Sequence, residues 1–258
     1  MKRSGFLLFG IFSLLAFTIA GCGQQSTESA AQGVQAALGT YNYGGAKPGL
    51  AFLIVGDVPM TGPNGIEVKI TGPSSWNDGN PIIVHLYHAV AGNDWWWWAR
   101  TIDIIDGDYT LESDLPGGIH LKTTAHLTAN DFLARPAPKL QATRTSVTIS
   151  WDRVPNAMAY EVDLQHKTDN GIERVAWWRT KETAITFNNL ILNSGETYFA
   201  RVFAFNAPIT HESFTPPSIF KISLGKTADF TVTAVGSLKI LPASPNKAPS
   251  KLDLQGSR

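Results

Sequence analysis

Short apolar runs that end at glycine and proline constrain the fold of this chain more than any other sequence feature. Residues 66–70 alternate strictly between apolar and charged side chains, and residues 50–55 form one continuous apolar run. Alternation with a period of two is typical of a half-buried strand, whereas a short apolar run is typical of a strand covered on both faces. Pairs such as Gly72-Pro73 mark turns between runs of this kind. The pattern predicts an all-β fold.

The composition limits how such a fold is held together. The 258 residues include one cysteine, Cys22, and 21 Lys and Arg residues balance 21 Asp and Glu residues. A single cysteine cannot form a disulfide within the chain, so the fold depends on its packed core. The sequence has no basic stripe that would indicate nucleic-acid binding. Its length is sufficient for two domains.

The first 21 residues have the organisation of a secretory signal. Lys2 and Arg3 form a positive amino-terminal region, and residues 6–17 form an apolar segment. This segment is too short for a membrane-spanning helix, and its flanks are those of a cleaved signal. We therefore expect residues 1–21 to be absent from the mature protein.

Residues 19–22 read Ile-Ala-Gly-Cys and resemble the lipobox of bacterial lipoproteins. This resemblance implies that Cys22 is lipidated and that the chain is exported. It also implies that the lipid holds the chain on the cell membrane or outer membrane, facing outside the cytoplasm. An ordinary cleaved signal with a chance cysteine is the alternative. Residues 22–48, rich in Gln, Ser, Ala and Gly, predict a flexible tether, with residues 30–38 as a candidate short helix.

Residues 49–133 contain a series of strand-like runs separated by turns, which predicts a small β-sandwich. Residues 68–73 read Val-Lys-Ile-Thr-Gly-Pro, and residues 115–118 read Leu-Pro-Gly-Gly. These stretches resemble immunoglobulin-like and transthyretin-like bacterial modules. The resemblance implies an immunoglobulin-like sandwich for this first domain.

Within residues 136–224, Trp151 ends one strand-like run and Tyr160 begins the next. These runs resemble the second and third strands of a fibronectin type III domain. Residues 192–206 follow the family motif Leu-x-Pro-Gly-Thr-x-Tyr-x-x-Arg-Val-x-Ala-x-Asn with two departures. The resemblance implies a second β-sandwich in which Tyr198 forms a tyrosine corner, its hydroxyl bonding to upstream backbone.

The end of the chain, residues 225–258, combines one strand-like run with a proline-containing tail. Residues 228–235 alternate like one further strand. Residues 241–258 are rich in Pro, Ser and Lys, which predicts a disordered tail.

No motif in the sequence indicates catalysis. His85 and His88 lie in a predicted strand, where they would point to opposite faces. Asp103, Asp106 and Asp108 crowd together, but their spacing does not match the calcium-binding loop that ends in a bidentate glutamate. We therefore predict that the chain is not an enzyme and that it has no cofactor and no metal site.

Four consecutive tryptophans are the first candidates for binding. Neighbouring side chains of a strand point to opposite faces, so two of the rings lie on each face. Trp95 and Trp97 share the face that becomes more polar further along the strand. We therefore expect these two rings to be exposed.

The second domain offers a similar set of aromatic residues. Alternation that places Tyr198 inside the sandwich places Phe199, Phe203 and Phe205 outside it, and Trp177 lies on a neighbouring strand. Rings among charged groups are typical of a protein interface, and also of a platform on which sugars stack. Packing of this face against the first domain is the third possibility.

The sequence therefore favours a membrane-anchored binding or scaffolding lipoprotein that contacts its partner through exposed aromatic faces. A carbohydrate-binding module for cell-wall or extracellular glycan is one alternative, and an accessory subunit of an envelope complex is another. The partner is an unidentified protein or glycan, besides the membrane that holds the lipid.

Overall fold

Strands and turns make up nearly all of the chain that the structure describes. The computed structural model describes residues 33–56, 65–86, 95–209, 215–233, 238–241 and 253–257. The predicted all-β fold class is confirmed, because the only helical element in these ranges is a short 3₁₀ turn at Trp76–Gly79. Within the same ranges, no helix has the length and hydropathy needed to span a bilayer.

The amino-terminal half forms a sandwich of two sheets. Its strands are β1 (Gln35–Asn42), β2 (Gly49–Val55), β3 (Ile66–Thr71), β4 (Ile82–Leu86), β5 (Trp95–Arg100), β6 (Gly107–Leu115) and β7 (Ile119–Leu127). One sheet has the order β4-β3-β6-β7, and the other contains β1, β2 and β5. Along β3 the apolar residues Ile66, Val68 and Ile70 are buried, while Glu67 and Lys69 face solvent. The strict alternation in the sequence thus marks the core face of this strand.

The carboxyl-terminal half forms a second sandwich. Its strands are β8 (Lys139–Ala142), β9 (Ser146–Ser150), β10 (Ala159–Thr168), β11 (Gly171–Thr180), β12 (Ala184–Asn188), β13 (Thr197–Phe205) and β14 (Phe220–Lys226). The strands β12-β9-β8 form one sheet, and β11-β10-β13-β14 form the facing layer. Seven strands in two facing layers are the arrangement of immunoglobulin-like and fibronectin type III domains.

Two tyrosine hydroxyls stabilise turns of this second sandwich. The Tyr198 hydroxyl accepts a hydrogen bond from the backbone N–H of Asn193 at 3.0 Å, which is the contact that a tyrosine corner requires. The Tyr160 hydroxyl accepts one from the backbone N–H of Val154, also at 3.0 Å. Trp151 packs edge-on against the Tyr160 ring, with 5.1 Å between the ring centroids. All three aromatic side chains are buried in the core of the sandwich.

The two sandwiches share one continuous sheet. Strand β1 of the first pairs in parallel with β14 of the second, from Gly39 opposite Phe220 to Asn42 opposite Ser223. The order β11-β10-β13-β14-β1-β2-β5 therefore runs across both halves. The approach is tightest at Gly39, where a Cβ atom would lie 1.5 Å from the Phe220 carbonyl oxygen. Only glycine fits at this point of the joint.

The predicted tether is wrong over residues 35–42, which form β1. This strand lies between β2 and β14, and six of its eight residues are buried. The candidate helix over residues 30–38 is wrong for its last four residues for the same reason. A strand covered on both faces at a tight joint needs small side chains, and the resulting run of Ala and Gly resembles linker composition. Residues 1–32, including Cys22, lie outside the described part of the chain.

The end of the chain contributes three short strands. These are β15 (Phe230–Val232), β16 (Leu238–Ile240) and β17 (Asp253–Ser257). Strand β15 lies within the further strand predicted for residues 228–235. The predicted disorder of residues 241–258 is wrong for β17, which pairs antiparallel with β5. Pairing with a distant strand supplies order that the local composition does not indicate.

The shared sheet folds back on itself and encloses a third core. The Trp97 ring on β5 lies 5.2 Å from the Phe203 ring and 5.5 Å from the Phe205 ring, both on β13. Strands β14, β1 and β2 separate β5 from β13 in the sheet. In a flat sheet, strands four positions apart would be about 19 Å apart. The ring contacts therefore require a strongly curled sheet, whose concave face buries residues of both halves.

A candidate binding surface on the edge strand β11

Most of the aromatic side chains that we predicted to be exposed are buried. Trp97, Phe199, Phe203 and Phe205 are each exposed by 3% or less. The predicted exposure is therefore wrong for these four residues. Alternation assigned their face correctly, but the curled sheet packs Trp97 of β5 against Phe203 and Phe205 of β13. Trp95 belongs to β5, and its side chain lies outside the described part of the structure.

Phe199 is covered by two lysines instead of by an aromatic partner. The Lys226 nitrogen lies 4.2 Å from the centre of the ring, and the Lys167 nitrogen lies 5.6 Å from it. Both ammonium groups also bond to the Asp229 carboxylate, which holds them over the ring. Internal packing therefore accounts for this face without a ligand.

Strand β11 carries two tryptophans that remain accessible. Trp177 is 36% exposed, and Trp178 on the opposite face is 54% exposed. Among the strands that the structure describes, β11 pairs with β10 alone and ends the shared sheet. Ile172 and Val175 of the same strand are also exposed. We call these four residues, together with Arg174, the β11 surface.

A β-bulge divides β11 into two parts. The register with β10 shifts between Leu164 and Gln165, so that Val175 has no residue opposite it. An inserted residue reverses the alternation of side chains between the two faces of a strand. The bulge therefore determines which side chains of β11 share a face. Arg174 and Trp177 consequently lie on one face, although three positions separate them.

One buried and one partly buried ion pair lie close to Trp177. The Arg179 Nε donates to Glu161 Oε2 at 2.9 Å, and Arg201 binds both oxygens of Asp163, at 2.9 and 2.6 Å. Burial disfavours the charged form of Arg201, but the bonds to Asp163 outweigh this and raise the pKa of Arg201. Removing one partner of a buried ion pair would leave an uncompensated charge. The network therefore holds β11 in position.

Guanidinium groups flank the Trp177 ring. The Arg179 Cζ lies over the ring at 4.7 Å from its centroid, and the Arg174 Cζ lies at 5.7 Å. A sugar that stacks on tryptophan needs access to the face of the ring. Cationic groups already lie over this one, so Trp177 suits a protein contact better than a sugar platform.

A cleft lies among the loops at one end of the second sandwich. This cleft has a volume of about 590 Å³, and its lining includes Arg153, Met158, Lys181 and Pro208. It combines basic side chains with an exposed methionine, but it contains no arrangement that indicates one class of ligand.

The aspartate residues considered in the sequence are used in local contacts. Asp108 bonds to His126 at 2.8 Å, and the Asp106 carboxylate accepts the backbone N–H of Ala129 at 2.7 Å. Asp103 accepts a hydrogen bond from Tyr43 at 3.1 Å. Over the ranges that the structure covers, no three His, Cys, Asp or Glu residues are grouped so as to hold a metal ion.

Of the β11 surface, sequence reasoning named only Trp177 as a candidate. Residues 169–171 read Asp-Asn-Gly, which is a hairpin signal and places β11 directly after β10. In combination with the fibronectin type III resemblance, this signal could have identified an edge strand. Ile172, Arg174 and Trp178 would then have joined Trp177 as candidates.

Comparisons with known proteins give a similarity in fold only. No protein-family model matches the sequence, and no curated protein is similar to it. Similar solved structures include a multidomain fragment of titin, a two-domain fibronectin type III segment of chicken tenascin, and the alpha chain of the chicken interferon gamma receptor. They are 14%, 12% and 9% identical to this chain, with TM-scores of 0.28, 0.26 and 0.27.

The similarity covers 78%, 76% and 83% of this chain, and 66%, 99% and 100% of those three structures in the same order. The chain thus spans just under two thirds of the titin fragment. TM-scores this low carry no conclusion about function, and the fold class follows from the strands and sheets described above.

Proposed function

We propose that this chain is an exported, lipid-anchored binding protein of the cell envelope that contacts a protein partner through the β11 surface. The lipobox-like residues 19–22 support the anchor at Cys22, since they resemble those of bacterial lipoproteins. Two sandwiches joined by one sheet are consistent with a binding or scaffolding role, which rests on analogy with immunoglobulin-like and fibronectin type III domains. The observation that carries the proposal is an edge strand with exposed Trp, Ile and Val side chains.

An edge strand offers two kinds of contact to an extended partner. Its outward backbone N–H and C=O groups can form a ladder with an added strand, and its side chains contact alternate residues of that strand. Trp and Arg are the residue types most enriched in the energetic centres of protein interfaces. Strand β11 presents Trp177, Trp178 and Arg174 along ten residues.

Natural proteins usually protect an exposed edge with charges or a bulge. Strand β11 has both, in Glu173, Arg174 and the bulge at Val175, yet it also leaves Ile172 and Trp178 more than half exposed. Protection alone would not require these apolar side chains. Their position agrees with an edge that excludes most strands and accepts a specific one.

Photo-crosslinking in intact cells tests the binding surface. A photoreactive amino acid at position 172 should form a discrete protein adduct, whereas the same group at position 191 should not. Ile191 is the matched control because it is 87% exposed and lies outside the β11 surface. Equal adducts at both positions, or none at position 172, would contradict the proposal. Quenching of tryptophan fluorescence by soluble wall fragments would instead favour the glycan alternative.

The anchor is tested separately. Cys22→Ser should release the processed chain from the membrane fraction or leave the leader uncleaved, and it should abolish the added mass of the lipid. Unchanged membrane retention and unchanged mass would exclude lipidation at Cys22.

A further inference from the structure

We infer that the β11 surface binds a second copy of this chain, with two β11 strands pairing antiparallel about a two-fold axis between Val175 and Ala176. This inference rests on the proposed function, since it names the partner of the same surface. Two-fold dimers are the commonest oligomers, and they require a surface that is complementary to itself. The sequence of faces along β11 meets this requirement.

The register with β10 assigns each residue of β11 to a face. One face of β11, here called the outer face, carries Ile172, Arg174, Trp177 and Arg179. These residues lie opposite Lys167, Gln165, Asp163 and Glu161, respectively. The inner face carries Gly171, Glu173, Ala176, Trp178 and Thr180, which lie opposite Thr168, His166, Leu164, Val162 and Tyr160. Both sets are arranged symmetrically about the proposed axis, apart from Ala176 at the bulge itself.

Pairing about this axis brings like faces together along the whole strand. Arg174 then lies opposite Trp177 of the second copy, Ile172 opposite Arg179, and Glu173 opposite Trp178. Two residues directly opposite each other in an antiparallel pair must point to the same face. Every pair in this register satisfies that condition, apart from Val175 and Ala176 at the bulge.

The bulge makes this register the one that uses all of β11. In a regular strand, shifting the axis by one residue still aligns like faces over a long stretch, so the register is weakly specified. The inserted Val175 reverses the alternation at the centre of β11. An axis away from the bulge therefore sets outer residues against inner ones between the axis and the bulge. A partner strand with regular alternation could pair along all of β11 only by leaving Val175 unpaired, as β10 does, whereas a second copy pairs residue for residue through the bulge.

The facing residues are also compatible in their chemistry. Arg174 opposite Trp177 repeats across the axis the Arg–Trp contact that each copy already contains. The aliphatic stem of Arg179 faces Ile172, and Glu173 faces an indole instead of another carboxylate. Like charges placed directly opposite each other destabilise a strand pair, and this register has none.

Disulfide trapping tests the register. The full chain with Cys22→Ser contains no other cysteine, so introduced thiols report only on the new positions. We expect a mixture of Glu173→Cys and Trp178→Cys chains, in mild detergent under oxidising conditions, to form a linked dimer. Facing residues lie about 4.5–5.5 Å apart between Cα atoms, within disulfide range, whereas two copies of Glu173→Cys alone would be separated by roughly 14 Å.

Sedimentation of the full chain in detergent tests the dimer without cysteines. We expect a dimer that Ile172→Lys weakens at least about tenfold in dissociation constant, because a charge enters the paired edge. Ile191→Lys should leave the dimer unchanged. The circular dichroism of each variant should match that of the unchanged chain, so that a loss of pairing is not a loss of fold.

The possible results separate this inference from the proposed function. A wild-type monomer at about 100 µM overturns self-pairing. Equal trapping of Glu173→Cys alone and of the mixture also overturns it. If the photoreactive group at position 172 then captures a different protein, the binding surface stands and only the partner was wrong. If position 172 captures nothing and the chain is a monomer, both proposals fail.

Discussion

The variant Phe203→Ala tests whether the shared sheet curls so that β5 packs over β13. The Phe203 ring is 1% exposed and contacts Trp97 at 5.2 Å and Phe205 at 6.4 Å between ring centroids. The Arg201 guanidinium lies over the same ring at 5.4 Å. Truncation of a fully buried Phe removes its transfer free energy and leaves a cavity, so we expect a loss of about 3–5 kcal/mol in the free energy of unfolding.

Urea unfolding followed by tryptophan fluorescence and by circular dichroism provides the assay. For a chain of this size, the expected loss corresponds to a decrease in Tm of roughly 6–20 °C. Ile191→Ala is the control, since Ile191 is 87% exposed and its truncation should change stability by no more than about 0.5 kcal/mol. If the sheet joins both sandwiches, the two spectroscopic signals should also give one coincident transition.

A double-mutant cycle identifies the contact responsible. Trp97→Ala, Phe203→Ala and the double variant should yield a coupling energy of about 0.5–1.5 kcal/mol, the range for an aromatic pair. A loss below about 1 kcal/mol for Phe203→Ala, with no coupling to Trp97, would refute the reasoning. It would mean that the Phe203 ring faces solvent and that β5 does not lie over β13.

Two further predictions concern the sheet joint and the response to acid. Gly39→Ala should cost about 3 kcal/mol or prevent folding, because its Cβ would lie 1.5 Å from the Phe220 carbonyl oxygen, and a stable variant in urea unfolding would contradict the joint. Burial opposes ionisation of Asp229, but bonds from Lys167 and Lys226 outweigh it and lower the pKa of Asp229. Its contribution to stability is therefore complete above the unfolded pKa and is lost as the pH falls through the folded one. Stability should decrease below about pH 4, and less so for Asp229→Asn. An equal decrease for both would contradict this.

Local patterns in the sequence were sufficient for much of the fold. The alternation of residues 66–70 predicted a half-buried strand, and the motif around Tyr198 predicted a turn closed by its hydroxyl. Both features depend on residues close together in the sequence. The division into two β-sandwiches followed from the same kind of information.

Features that depend on distant contacts could not be predicted in this way. The Ala and Gly residues of β1 resemble a linker until β14 is known to lie beside them. Phe203 and Phe205 were assigned to the correct face, but sequence periodicity does not reveal that β5 covers that face. The bulge at Val175 depends on the register with β10, so the symmetry of the β11 surface is visible only in the structure.

The position of β1 has a mechanical consequence. It is the first strand of the described chain, and it lies in the middle of the shared sheet. A pulling force applied from the amino-terminal side therefore acts on this interior strand before it acts on any strand at the edge. Backbone bonds to β2 and β14 flank it on both sides, and a pull along its axis would shear the two ladders together instead of peeling them apart bond by bond. A molecule held by its amino-terminal end in flowing liquid would therefore bear the load on its most protected strand.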